Sequence, residues 1–232
     1  MKTIGLLGGM SWESTALYYR WINEQVRDQL GGLHSAKIAM VSVDFDEIET
    51  LQRQNQWEKS GEILSHAALQ IRAAGADFLV LCTNTMHKMA DEIEKTIRIP
   101  LLHIADATAE AIQESGMRTI GLLGTRFTME EEFYKGRLED KYGLKVLIPD
   151  ASGRDTVHDI IYHELVLGIV KDSSRKKFLE IIRQLKDRGA EGVIEGCTEI
   201  VMLVQQAHTD VPLFDTTAIH AKAAVTLALR MD

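Results

Sequence analysis

Two short stretches of this chain occur twice. Ile4-Gly5-Leu6-Leu7-Gly8 returns 116 residues later as Ile120-Gly121-Leu122-Leu123-Gly124. Cys82-Thr83 returns 115 residues later as Cys197-Thr198. Half of the 232-residue chain is 116 residues. One such echo arises by chance; two with nearly equal offset mark an internal duplication. The duplication constrains the fold, because each half must build a similar unit and bury its own apolar strands.

Short β-rich runs alternate with longer helical patterns. Candidate strands are Thr3–Leu7, Lys37–Val43, Phe78–Cys82, Leu101–Ile104, Thr119–Leu123, Lys145–Ile148, Gly192–Glu195 and Leu213–Phe214. Between them Ile63, Ala67, Ile71 and Ala74 recur at helical spacing, as do Phe178, Ile181, Ile182 and Leu185. Gly75 and Gly189 stand where glycines end helices. Thr128-x-x-Glu131 reads as a capping box opening a helix. Strand–helix alternation brings parallel sheets with helices on both faces. The expectation is an α/β protein of two pseudo-symmetric, doubly wound lobes, each with a mostly parallel sheet. The strand C-termini of both lobes should face a shared cleft, since open parallel sheets bind ligands there.

Composition narrows the function. Apolar residues make up 45% and charged residues 26%, enough for a core and unlike a disordered chain. Three prolines and no Pro/Gly/Ser-rich tract argue against a long linker. The net charge of −8, with no basic patch, points away from nucleic acid and anionic membranes. No apolar run approaches the ~20 residues of a membrane span. Lys2 and the apolar residues after it resemble a poor signal peptide, but the apolar part is short and no small-residue cleavage pattern precedes Trp12-Glu13. A first strand is the better reading. Two cysteines make no disulfide framework. The expected location is the cytoplasm, with both thiols reduced.

The chemistry-bearing residues lie at strand ends. Phe78-Leu79-Val80-Leu81 runs into Cys82-Thr83-Asn84-Thr85-Met86-His87, and Val193-Ile194-Glu195-Gly196 into Cys197-Thr198-Glu199. Backbone N–H groups at the start of a following helix favour negative charge. A cysteine so placed can have its pKa lowered from ~8.5 toward neutrality. The same N–H groups can hold a carboxylate. The bland alternative for a cysteine at a strand end is a small buried hydrophobe. Other signals are weaker. His103, His158, His163 and His220 lack metal-ligand spacing and read as scattered, with no metal expected. Gly5-Leu6-Leu7-Gly8-Gly9 is not a dinucleotide fingerprint. Asp44-Phe45-Asp46-Glu47 reads as a solvated loop, and Trp12, Trp21 and Trp57 as packing anchors.

Three motifs carry a resemblance: Gly8-Gly9-Met10 with Thr15 downstream, Thr83-Asn84-Thr85, and Gly196-Cys197-Thr198-Glu199. Over essentially its whole length the chain resembles the aspartate/glutamate racemases that work without pyridoxal phosphate, most closely those of enteric bacteria. The resemblance implies two lobes with the C-terminal helix returning to the first: residues 1–99 with 216–232, and residues 100–215. It implies a homodimer, no cofactor and a small amino-acid substrate between the lobes. One group removes the α-proton from one face, and its mirror-related partner supplies a proton on the other. Carried over residue by residue, Thr83 and Cys197 are catalytic, and Met10, Gln52, Asn84, Thr85 and Thr198 bind substrate.

The first motif departs from the family pattern Cys-Asn-Thr. The register anchored by Asn84 and Thr85 puts Thr83 in the catalytic slot and Cys82 in the core. The internal repeat would instead set Cys82 opposite Cys197. Gln52 is expected in the loop after the second strand. Family members selective for aspartate use a lysine on the helix corresponding to residues 157–168, and this chain has none before Lys171. Arg53 or Arg126 could substitute. Glu199 reads equally as a helper to Cys197 or as an exposed helix residue. The other readings are a maleate isomerase, hydantoin racemase or arylmalonate decarboxylase of the same superfamily, a solute-binding protein, or an inactive metabolite-binding relative.

Overall fold

A computed structural model describes residues 1–230. All eight expected strands form, with ends moved by one or two residues. The first half runs β1 (Ile4–Gly8), α1 (Trp12–Leu30), β2 (Ile38–Ser42), α2 (Phe45–Arg53), α3 (Trp57–Ala73), β3 (Phe78–Leu81), α4 (Ala90–Ile97), β4 (Leu101–Leu102) and α5 (Ile104–Glu114). The second runs β5 (Thr119–Gly124), α6 (Arg126–Glu130), β6 (Lys145–Leu147), α7 (Ala151–His163), α8 (Asp172–Asp187), β7 (Gly192–Gly196), α9 (Ile200–Leu203), β8 (Leu213–Asp215) and α10 (Thr216–Leu229). The strands make two four-stranded parallel sheets, ordered β2-β1-β3-β4 and β6-β5-β7-β8. The duplication reappears as register: Ile4 lies beside Ile38 and Phe78, and its repeat Ile120 beside Val146 and Gly192.

The chain divides into two compact units. One holds residues 1–104 and the chain from His220 on; the other is Ala105–Ile219. The boundaries drawn from sequence, 99/100 and 215/216, fall a few residues early. β4 hydrogen-bonds to β3 and so belongs to the first sheet, and the second passage lies inside α10 rather than before it.

In the first unit the central strands are buried along their whole length, as parallel strands covered on both faces must be. Tyr18, Ile22 and Val26 form one face of α1 and pack with Ile4, Leu6, Phe78 and Val80. Ala221, Ala224, Val225 and Ala228 of α10 join the same cluster. Each large side chain so buried contributes about 1.5–3 kcal/mol. In the second unit Phe178, Ile181, Ile182 and Leu185 are the buried face of α8, as their spacing requires.

Some local readings change. The buried face of α3 centres on Leu64, Ala68 and Ile71, and Ala74 is exposed beyond its end. Gly75 and Gly189 do follow their helices with φ of 90° and 100°. Thr128 does not open a helix: Thr125 caps α6, accepting from the Thr128 N–H at 3.3 Å, and Glu131 lies past its end. The acidic run 44–47 is not a loop. Asp44 caps α2, and Asp46 and Glu47 sit in its first turn, where the helix dipole favours them.

Candidate active site

In each unit the strand order reverses direction between two central strands. The connection from β1 leads to β2 on one side, and the next leads back past β1 to β3. Ligands of open parallel sheets bind at the C-terminal ends of the strands flanking such a switch. In the first unit those ends are Gly8-Gly9-Met10 and Cys82-Thr83-Asn84-Thr85. In the second they are Gly124-Thr125 and Gly196-Cys197-Thr198-Glu199. Each motif singled out in the sequence therefore sits where its own sheet would place a ligand.

In the first unit a serine and a threonine tie the loop after β1. Thr15 Oγ1 accepts from the Gly9 N–H and donates to the Ser11 carbonyl, both at 2.9 Å. Ser11 caps α1, and Ser14 Oγ donates to the Cys82 carbonyl at 3.3 Å. Gly9 has φ 97°, and a Cβ there would lie 2.1 Å from the Val43 carbonyl oxygen, so no other residue fits. Met10 is buried in this loop.

Cys82 and Thr83 part company at the end of β3. The Cys82 side chain lies in the hydrophobic cluster with Tyr18 and Val80. Burial pushes its thiol well above the usual range. Thr83, Asn84 and Thr85 follow, all buried, the last opening a short 3-10 helix over Thr85–Met89. Gln52 is not in a loop: it lies in the last turn of α2, buried, with Nε2 donating to Met86 Sδ at 2.9 Å. It thus contacts the turn that carries Thr85.

In the second unit Cys197 follows β7, and its Sγ donates to Glu199 Oε2 at 2.9 Å. Thr198 Oγ1 donates to the same oxygen at 2.7 Å. All three residues are buried, so the exposed reading of Glu199 falls. The expected lowering of the thiol pKa is also overturned. Burial, and then the adjacent Glu199 charge, hold the Cys197 thiol well above its ordinary value. The resting sulfur is a thiol, hydrogen-bonded to the Glu199 side chain.

A second carboxylate stands behind this motif. Glu195 in β7 pairs in register with Asp215 in β8. Glu195 is buried, and its Oε1 has no hydrogen-bond partner. Burial and the Asp215 charge push it up to about 8. Burial raises Asp215 as well, opposed by the Thr217 and Ala218 N–H groups that donate to its Oδ1.

The cations considered for an acidic substrate have partners. Arg126 opens α6 beside the end of β5 and donates to Asp155 at 2.8 Å; Arg53 lies 3.7 Å from Glu49. Residues 157–168 are not one helix: α7 ends at His163, and a 3-10 turn spans Leu165–Leu167. Lys171 pairs with Glu164. Among the described residues no group of three or more His, Cys, Asp or Glu could hold a metal ion, and no helix is long and apolar enough to cross a membrane. Trp57 is buried and carries the Lys88 ammonium 4.0 Å over its ring, Trp21 packs on the core, and Trp12 is exposed.

Two residues went unmarked in the sequence. His87 stands four residues after Thr83, the spacing at which a side chain reaches back one turn, and its Nδ1 lies 2.7 Å from the Thr83 carbonyl. Glu195 interrupts an apolar strand, and a carboxylate there is itself a signal.

A family model described as Asp/Glu/Hydantoin racemase matches residues 7–224. The crystal structure of a candidate Asp/Glu racemase from Yersinia pestis superposes with a TM-score of 0.94 at 55% identity, covering 99% of this chain and all of that one. An aspartate racemase homologue from Pyrococcus horikoshii superposes with 0.86 at 33% identity, over 99% of this chain and all of that one. The broad specificity amino-acid racemase RacX of Bacillus subtilis is 24% identical over 70% of this chain and 69% of its own length.

Proposed function

The chain belongs to the Asp/Glu/hydantoin racemase family, and from that premise we propose that it is an amino-acid racemase that works without pyridoxal phosphate, on aspartate or glutamate. The observation that carries the reading is the Cys197–Glu199 hydrogen bond at the switch point of the second sheet. Glu199 accepts the thiol proton, leaving a thiolate. The thiolate takes the α-proton, and the electron pair left on Cα spreads into the α-carboxylate. Donors from Asn84, Thr85 and Thr198 hold that carboxylate as its charge grows. The loop at Met10 and the Gln52 amide shape the rest of the site. Thr83 gives its hydroxyl proton to the opposite face, a water re-protonates Thr83, and the hydroxide left takes the proton held by Glu199, which closes the cycle.

The raised thiol suits this chemistry. A thiolate that is scarce is also strongly basic, and an α-proton beside a carboxylate is hard to remove. Glu199 makes the thiolate reachable. Glu199→Gln leaves the hydrogen-bonding shape but cannot take the proton. It should lower kcat by roughly 10²–10⁴-fold, the usual weight of one acid–base group. A variant with the wild-type kcat would remove Glu199 from the reaction.

Proton transfer should be unequal in the two directions. A threonine hydroxyl is a much weaker acid than a thiol and a poor base at rest. Enantiomers have equal free energy, so kcat/KM must match in both directions. The asymmetry must therefore appear in exchange with retention, which Cys197 supports from the enantiomer whose proton it takes and Thr83, a poor base, hardly supports from the other. The test is the α-hydrogen of each amino acid in D₂O, followed by mass spectrometry and chiral chromatography. Deuterium entry with inversion, and exchange with retention much faster from one enantiomer than from the other, is the expected result. Equal rates of exchange with retention from both enantiomers would sink the roles given to Cys197 and Thr83. Exchange without inversion would mean a one-base enzyme, release of CO₂ a decarboxylase, and binding without exchange an inactive relative.

A further inference from the structure

The chain passes between its units at 104/105 and 219/220. In the first unit a buried histidine stands near each passage. His220 Nε2 lies 2.8 Å from the Leu102 carbonyl, and its Nδ1 2.8 Å from the Tyr18 hydroxyl. A carbonyl only accepts, so Nε2 carries the hydrogen and Nδ1 accepts from Tyr18. His87 has the opposite tautomer. Its Nδ1 donates to the Thr83 carbonyl at 2.7 Å, and its Nε2 accepts from the Ile104 N–H at 3.2 Å. Its ring stacks obliquely on His103, with centroids 4.5 Å apart.

One neutral imidazole thus joins the peptide of Thr83 to the amide where the chain leaves the first sheet. Thr83 needs such a tie. It lies past the last residue of β3, and its own N–H turns back to the Leu81 carbonyl at 2.9 Å. A side chain that must meet one face of a carbon atom has to be held to fractions of an ångström.

We propose that His87 is a positioning residue for Thr83: its Nδ1–H clamps the Thr83 carbonyl and thereby aims the Thr83 hydroxyl, while Nε2 ties that clamp to Ile104. The proposal rests on the racemase reading and deepens it.

Two substitutions separate the two bonds. In His87→Asn the amide nitrogen takes the place of Nδ1 and keeps the donation to Thr83, while the acceptor for Ile104 is lost. In His87→Gln the amide oxygen takes the place of Nε2 and keeps that acceptor, while the donation to Thr83 is lost. Each variant is incubated with L- and D-aspartate and L- and D-glutamate in D₂O. Two rates are read from the enantiomer that exchanges faster: inversion, which needs Thr83, and exchange with retention, which needs only Cys197.

His87→Gln should lose inversion by about 100-fold relative to exchange, the scale of an ångström of misplacement. Thr83→Ala should show the same pattern. His87→Asn should keep the wild-type ratio of the two rates even if it melts earlier. If both variants keep that ratio, or if it simply tracks melting temperature, His87 does not position Thr83. If the wild type neither exchanges nor inverts any of the four, the racemase reading fails and takes this role with it. Nitrogen-15 NMR of the imidazole checks the clamp without any turnover. An Nε2-protonated His87 would overturn it.

Discussion

Replacing Cys197 with alanine is expected to abolish both α-hydrogen exchange and inversion while the protein stays folded. The thiol is the atom that the Glu199 carboxylate addresses, at 2.9 Å. Alanine leaves that carboxylate with its bond from Thr198 but with nothing to activate. General acid–base groups carry roughly 10²–10⁴-fold each. Cys197 serves as base in one direction and as acid in the other, so its loss should lie at the upper end. Cys82→Ala is the contrasting experiment. That thiol is wholly buried among Tyr18, Val80 and Ala221, and its sulfur is 3.9 Å from the Val80 carbonyl. Its removal should lower the melting temperature and cost about 1 kcal/mol of stability, as small core truncations do, with turnover unchanged. The measurement is chiral chromatography of both variants beside circular dichroism melts. Loss of activity in Cys82→Ala, with full activity in Thr83→Ala, would reverse the assignment of the first slot.

Glu195→Gln should stabilise the protein on the alkaline side by several kcal/mol. Glu195 is held protonated in the fold up to about 8, against 4.5 for an ordinary glutamate. Between those values the folded chain keeps a proton that the unfolded chain has released, so stability falls as pH rises. At ~1.4 kcal/mol per pH unit the window amounts to as much as ~5 kcal/mol. His220 works in the opposite sense. Burial lowers it to about 4 from 6.5, so its contribution is lost as pH falls through that interval. From pH 4.5 to 6.5 the two slopes oppose each other. Above 6.5 the His220 slope is spent and the Glu195 slope remains, so the wild type should weaken up to pH 8. The glutamine variant should instead gain stability up to 6.5 and then hold level to pH 8, below the range where the buried Cys82 and Cys197 thiols weaken both proteins. Urea midpoints followed by far-ultraviolet circular dichroism at pH 5, 6.5, 7.3 and 8 test this. Tryptophan emission would not suffice, because Trp12, Trp21 and Trp57 all lie in the first unit. Midpoints that change in parallel for both proteins would remove Glu195 from the pH response.

Much of the architecture was legible before any coordinates. The repeats 4–8/120–124 and 82–83/197–198 announced two like units, and both sheets have the same strand order. Eight strands, two terminal glycines and the buried face of α8 follow from signals spanning a few residues. Where nearest-residue cues compete, the sequence is ambiguous: Thr125 and not Thr128 caps α6, and the run at Asp44 begins a helix.

The protonation of the candidate site belongs to the tertiary structure alone. A strand-end cysteine before a helix reads as acidic, yet burial and the Glu199 carboxylate make Cys197 the reverse. Glu195 meets Asp215 only because β8 lies beside β7, a neighbour far away in sequence terms until the sheet forms. His87 carries its hydrogen on Nδ1 because Thr83 offers a carbonyl on one side and Ile104 an amide on the other. Periodicity, capping and repetition act between residues a turn or a strand apart, so the order of amino acids determines them directly. Desolvation and long-range hydrogen bonding depend on which segments come to lie against each other, and only the folded chain sets that.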